Sequence, residues 1–199
     1  MEHIFTHDWF THNTTNFDDC TARLVKSFNE VNSVLEIGSF EGRATCWMLE
    51  NMLSDTGVIT CIDPFLGVDN PERADPGLRY KPLEDRFNYN VAISKKSTQT
   101  VNVIPTVSYT ALAALITTGC QYDFIYVDGD HTGEGALTDA CMAWGLLRKG
   151  GIMLFDDYFW DHAPDILDRP KAAIDAFMNT FSRRYKVTTV GYQIAIQKI

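Results

Sequence analysis

Five short, almost wholly apolar runs alternate with helical stretches along this chain, and that alternation restricts the fold more than any single motif. The runs are 33–37 (SVLEI), 58–62, 101–104, 122–127 (YDFIYV) and 152–155. Strands this uniformly apolar are buried on both faces, the pattern of a parallel sheet covered by helices. Between them, residues 44–53, 111–116 and 135–147 carry helical spacing, the last followed by Lys149-Gly150-Gly151 with glycine in the C-cap region. Ahead of the first run, 18–29 reads as a helix with Cys20, Leu24, Val25 and Phe28 on one face. Beyond the fifth, 170–181 opens on Pro170, a favoured helix start, and 185–190 and 192–197 read as an antiparallel pair around Gly191. The expected fold is α/β: one domain over 1–199, a mostly parallel seven-stranded Rossmann-like sheet with helices on both faces and a C-terminal antiparallel strand. Residues 1–32 form an N-terminal helical segment.

Composition narrows the function classes. The length of 199 residues suits one such domain, and no repeat, low-complexity tract or linker interrupts it. A formal net charge of −9 argues against nucleic-acid or anionic-membrane partners, which favour basic surfaces. No apolar run reaches the length of about 18 residues that a membrane span needs. Residues 1–16 are polar and aromatic, without a signal-peptide core. The five cysteines are scattered and form no CxxC pair, so they read as small hydrophobes in a reducing compartment. The expected location is cytoplasmic.

Ligands on parallel sheets bind beyond the carboxyl ends of the strands, so the residues after each run carry the functional signal. After the first come Glu36-Ile37-Gly38-Ser39-Phe40-Glu41-Gly42. Gly38 permits a tight turn and close approach of a ligand, and Gly42 lets the next helix begin against the strand. The pattern is ExGxxxG rather than the GxGxxG that cradles a pyrophosphate. It suits a ligand without phosphates, such as S-adenosylmethionine, or else a plain tight turn. After the second run, Asp63-Pro64 offers a carboxylate either to the two hydroxyls of an adenosine ribose or to its own loop. After the third, Ser108 either caps the next helix or meets an adenine.

The fourth and fifth runs end in Asp128-Gly129-Asp130-His131 and Asp156-Asp157-Tyr158. On adjacent strands these acids crowd one spot, and clustered carboxylates need a compensating charge. A hard divalent cation on oxygen ligands supplies it, with solvated loop acids or an Asp156 cap as the alternative. His131 is placed to act as a general base on a hydroxyl, or to pack as a loop histidine. Residues 67–90 break the rhythm: they are long, rich in Pro, Asp and Arg, and helical only towards the end. Such loops are functional or mobile, and this one is expected to act as a lid. Arg79, Tyr80, Arg86, Phe87 and Tyr89 would roof the acceptor pocket, with Tyr158, Phe159 and Trp160 opposite and His162 on the acceptor side. His3, His7 and His12 carry little signal.

The segments VLEIGSFEGRAT and DFIYVDGDHTGEGALTDACMAWGLLRKGGIMLFDDY, with DGDH, LLRKGG and DDY in register, resemble the class I S-adenosylmethionine-dependent methyltransferases. Within that class they are similar to the small-molecule O-methyltransferases, of both the macrolide-sugar and the cation-dependent catechol types. The resemblance implies that Glu36, Gly38, Ser39 and Gly42 line the methionine end of the cofactor, that Asp63 holds the ribose and that Ser108 lies near the adenine. Phe40, Pro64 and Asp128 complete the cofactor set. It implies a cation, Mg²⁺ by ligand chemistry, on Asp128, Asp156 and Asp157, with His131 and Asp128 as the catalytic pair. Two positions depart from the catechol-type pattern: Asp157 stands where asparagine is usual, and His131 where lysine is. The partner expected is a small-molecule methyl acceptor, a sugar or an aromatic alcohol; a homodimer stays open beside a monomer. Two rivals are a nicotinamide-dependent oxidoreductase, against which the missing GxGxxG weighs, and a catalytically silent interaction module, against which the retained DGDH and DDY weigh.

Overall fold

In the computed structural model, which describes residues 1–67 and 81–199, the apolar runs do pair side by side. The elements are α1 (Thr14–Phe28), β1 (Val31–Ile37), α2 (Arg43–Trp47), β2 (Leu53–Ile62), α3 (Lys81–Ser94), β3 (Thr100–Ile104), α4 (Ser108–Thr118), β4 (Tyr122–Val127), α5 (Gly133–Trp144), β5 (Leu147–Phe155), α6 (Pro170–Phe181), β6 (Tyr185–Val190) and β7 (Ile194–Lys198). The sheet runs β3-β2-β1-β4-β5-β7-β6. The first five strands are parallel, and β7 enters antiparallel between β5 and β6.

Alternation along each strand feeds two cores. Val34, Phe124, Tyr126, Ile152 and Leu154 face α1, α2 and α3, where Phe17, Leu24, Leu49 and Phe87 close the layer. Leu35, Ile37, Ile125, Val127, Met153 and Phe155 face α4, α5 and α6, against Leu112, Ala140, Trp144, Ile174 and Phe177. Each fully buried Leu, Ile or Phe contributes about 1.5–3 kcal/mol. Covering both faces in this way is why the strands show no polar stripe.

Three boundaries differ from expectation. The helix expected over 44–53 is α-helical only through Trp47 and finishes in one wider π turn, Met48–Met52, after which β2 starts at Leu53. Lys149-Gly150-Gly151 does not cap α5, which ends at Trp144; it lies inside β5. Gly150 has φ +86°, and a Cβ there would stand 3.3 Å from the Phe28 ring, so the glycine admits α1 onto the strand. Residues 81–90, expected within a lid, belong to the regular helix α3; 68–80 lie outside the described residues. No helix among the described residues is long and apolar enough to cross a membrane.

The direction of winding reverses between β1 and β4, which are neighbours in the sheet. A crevice opens there beyond the carboxyl ends of the strands, the usual ligand position of such sheets.

Candidate active site

The turn after β1 is fitted to its neighbours at atomic tolerance. Gly38 has φ +86°, and a Cβ on it would lie 1.9 Å from the Asp128 carbonyl oxygen, so no other residue fits. Its N–H donates to Ile62 O at 2.8 Å, while Asp128 N–H donates to Ile37 O at 2.8 Å. The ends of β1, β2 and β4 are thereby tied together. Gly42, at φ +79°, turns the chain into α2 beneath Phe87, whose ring would lie 2.9 Å from an added Cβ.

Asp63 sits under this turn and does not line the cavity described below. Its Oδ2 accepts the N–H groups of Ser39 (2.9 Å) and Phe40 (2.7 Å), and its Oδ1 that of Phe65 (2.6 Å). Phe40 and Phe65 both take positive φ, +46° and +52°. A side-chain-bearing residue in that region costs on the order of 1–3 kcal/mol, and the Asp63 carboxylate offsets it with charged hydrogen bonds. Burial pushes the Asp63 carboxyl above the usual range, opposed by those backbone donors. Of the two roles open to Asp63, holding its own loops is the one these contacts serve.

Glu36 is fully buried beside the turn. Its Oε2 accepts from the Ser39 and Thr45 hydroxyls, while Oε1 has no partner. Burial raises its pKa to about 7, against the Thr45 and Ser39 hydroxyls and the Cys61 thiol. A buried acceptor without a donor is costly, and Glu36 lines the cavity where a cationic ligand group would complete it.

The acid cluster divides in two. Asp156 is turned inward: its Oδ2 accepts from the Tyr126 hydroxyl and from Gln193 Nε2 (3.0 Å), its Oδ1 from Asp157 N–H (2.8 Å). Gln193 is itself held by Asn16 of α1, 2.9 Å away. Asp157, at φ +55°, directs its carboxylate to Tyr192 and His131. Its Oδ1 accepts from the Tyr192 hydroxyl at 2.8 Å, and its Oδ2 lies 3.0 Å from His131 Nε2, which is also 3.6 Å from Asp128 Oδ1. One donor atom from each of Asp128, His131 and Asp157 lies within 4.8 Å of the others, the spread of a metal-sized site. Burial pulls His131 down, but its hydrogen bonds and attraction to Asp128 and Asp157 outweigh it and raise the imidazole to about 10. The reciprocal effect prevails over burial and lowers Asp157. Burial, then the Asp156 charge, pushes Asp128 well above the carboxylate range.

One cavity of about 560 Å³ joins the turn to the cluster. Of the residues singled out from sequence, Glu36, Gly38, Ser39, Phe40, Asp128, His131, Asp156, Asp157, Trp160 and His162 line it. Gly42, Asp63, Pro64 and Ser108 do not; Ser108 is the first residue of α4. The expected roof differs. Arg86 pairs with Glu41, Phe87 is fully buried, and Tyr89 points its hydroxyl towards Glu2 O at 3.4 Å. Arg79 and Tyr80 lie outside the described residues. Tyr158 is buried, its hydroxyl donating to Asp175 at 2.7 Å, and Phe159 is exposed away from the cavity. Instead His7, Trp9, Phe10 and His12 of the N-terminal segment form a wall. The signal for it was the aromatic density of FTHDWFTHN, which nothing in local periodicity connected with the strand ends.

A family model described as a methyltransferase domain matches residues 35–158. R132 of Acanthamoeba polyphaga mimivirus, an uncharacterized protein, is 27% identical over 127 residues, 62% of this chain and 50% of the relative. The chain thus spans about half the length of the curated relative it matches. An O-methyltransferase from Bacillus cereus, solved in complex with S-adenosylhomocysteine, is similar with TM-score 0.60 and 19% identity over 98% of this chain and 84% of that one. The O-methyltransferase TomG from Streptomyces achromogenes, involved in tomaymycin synthesis and solved with S-adenosylmethionine, is similar with TM-score 0.61 and 17% identity over 92% and 80%. At these identities the likeness to solved structures is one of fold.

Proposed function

The chain belongs to the methyltransferase-domain family that matches it over residues 35–158, and we propose that it transfers the methyl group of S-adenosylmethionine to a hydroxyl of a small molecule. The observation that carries this reading is the cavity of about 560 Å³ that joins the turn at Glu36, Gly38, Ser39 and Phe40 to the cluster of Asp128, His131 and Asp157. O-methyltransferases of the same fold bind S-adenosylmethionine or its product, which supports the choice of cofactor.

The residues of the turn fit that cofactor. The free Glu36 Oε1 suits its amino group, and the bare Gly38 backbone admits its methionine arm. Ser39 and Phe40 line the same stretch, and Asp63 and Pro64 act through the loop they shape. Ser108 would meet the adenosine end only across the start of α4. The cofactor supplies a sulfonium methyl carbon open to in-line displacement. The protein holds the acceptor oxygen on that line, and such positioning lowers barriers by up to about 7–11 kcal/mol in ideal cases.

The carboxylates of Asp128 and Asp157 fit a hard divalent cation such as Mg²⁺. His131 stands beside them as base rather than ligand, and Asp156 would join only by leaving Tyr126 and Gln193. The chemistry supplied there is a lowered hydroxyl pKa. The two acids hold His131 in its protonated form; with their charge taken up by a bound cation the neutral imidazole would be favoured, and that form would accept the hydroxyl proton.

Calorimetric titration with S-adenosylhomocysteine tests the cofactor reading: saturable binding is expected, and none with NADH. Transfer from labelled S-adenosylmethionine to hydroxylated acceptors should be lost in EDTA and restored by Mg²⁺, with cofactor binding intact throughout. Full transfer after metal removal would overturn the cation and leave His131 as the base.

A further inference from the structure

Two aromatic ladders line the cavity, one from the N-terminal segment and the turn after β1, the other from the loops after β4 and β5. His7 and Phe40 both pack on Trp9, with centroids 4.4 and 5.4 Å from it and interplanar angles of 28° and 29°, and lie 6.1 Å from each other. His131, Trp160 and His162 meet at 5.6 and 5.4 Å in edge-on geometry. All six residues border the space that Asp128 and Asp157 also border. The first ladder ends on Phe40, in the turn assigned to the cofactor. The second begins on His131, at the acids.

Trp9 is the open member of its ladder, with 55% of its surface exposed. A large aromatic left open at a cavity wall signals a binding surface more than a packing one. It is not a loose side chain on a loose segment. Thr6 donates its N–H and its hydroxyl to Glu41 at 2.7 and 2.6 Å. Ile4 and Asn90 exchange two hydrogen bonds, of 2.7 and 2.9 Å. Phe10, immediately beyond Trp9, is buried in the core. The segment is thus fastened on both sides of Trp9, so its indole is held ready and little ordering entropy is lost on binding.

We infer that Trp9, backed by His7 and Phe40, is a specificity-determining residue that stacks on the apolar face of an uncharged ring bearing the accepting hydroxyl, an aromatic ring or a sugar. Charge sets the second half of the preference. Five acids, Glu36, Glu41, Asp128, Asp156 and Asp157, border the cavity against Arg43 and four histidines, a balance that disfavours carboxylated or phosphorylated acceptors. The inference rests on the methyltransferase reading and adds to it the residue that selects the acceptor.

The test is calorimetry on the full chain saturated with S-adenosylhomocysteine, with catechol and methyl α-L-rhamnopyranoside as probes. One of the two should bind, which separates the aromatic from the sugar source. Trp9→Ala should weaken that probe at least tenfold, and Trp9→Phe should recover most of the loss. Both variants should bind S-adenosylhomocysteine within about twofold of the parent, a result that excludes misfolding. Equal probe affinity in Trp9→Ala overturns the inference, as does failure of the parent to bind either probe. Failure of S-adenosylhomocysteine itself to bind, seen before any probe is added, overturns the cofactor reading and the acceptor wall with it.

Discussion

Two buried acids at the turn after β1 do opposite things with their charge. Glu36 keeps an oxygen without a partner, and its pKa stands at about 7 against 4.5 for an ordinary glutamate. The folded protein therefore retains a proton that the unfolded chain has lost. Stability contributed by this residue falls as pH rises from 4.5 to about 7 and is level above. Glu36→Gln should remove a slope worth up to about 3 kcal/mol, seen as a smaller drop in denaturant midpoint between pH 5 and about 7.5. The same substitution should weaken S-adenosylhomocysteine, because the unfilled acceptor is lost. Asp63 instead spends its charge on three backbone amides. Asp63→Asn should cost about 1.5–3 kcal/mol in urea unfolding. If Asp63 acts through the loop, the loss in cofactor affinity should follow the loss in turn order. Gly38→Ala should be worse tolerated than either, since the methyl group would meet the Asp128 backbone.

Among the elements, the N-terminal segment and the β6–β7 hairpin complete a site that the central strands only begin. The segment is seated through Glu41, which lies in the glycine turn and receives Thr6 from one side and Arg86 of α3 from the other. Glu41 is buried and Arg86 about three-quarters so, and removing one partner of such a pair leaves a charge without compensation. Arg86→Met should cost about 1–3 kcal/mol, less than a fully buried pair because Arg86 keeps some solvent. Amide exchange at Ile4 and Thr6 should accelerate in that variant while β1 and β4 stay protected. Unchanged exchange there would mean that Asn90 and Phe10 suffice to seat the segment. The hairpin brings Tyr192 and Gln193 to Asp157 and Asp156, contacts possible only because β7 pairs with β5 in antiparallel register.

At the scale of the whole molecule, the cofactor should bind the folded chain alone, because its contacts come from turns that the sheet brings together. S-adenosylhomocysteine at about 100 times its Kd should add roughly 2.7 kcal/mol and raise Tm by about 5–11 °C. EDTA should leave that shift in place, since the turn and the acid cluster are separate parts of one cavity. A thermal shift that vanishes on chelation would mean that the cation organises the cofactor end as well.

The sequence by itself determined the layered architecture and the strand ends at which the candidate site residues gather. Strand burial on both faces is written in uninterrupted apolar runs, and Gly38, Asp128, His131 and Asp157 are legible because strand ends are local and the sheet type fixes where they point. It also held the choice at Asp63 open between ligand and loop, and only the positions of three backbone N–H groups favour the loop. The tertiary structure alone decided that Asp156 faces Tyr126 and Gln193, that His131 stands between two acids, and that Trp9 walls the cavity while Arg86, Phe87 and Tyr89 do not. Each of these joins residues from distant parts of the chain: Trp9 to Phe40, Gln193 to Asp156, Asn16 to Gln193. Periodicity reports which face of an element is buried. It does not report which neighbour buries it, because that depends on the order in which strands assemble and on where the two ends of the chain come to rest.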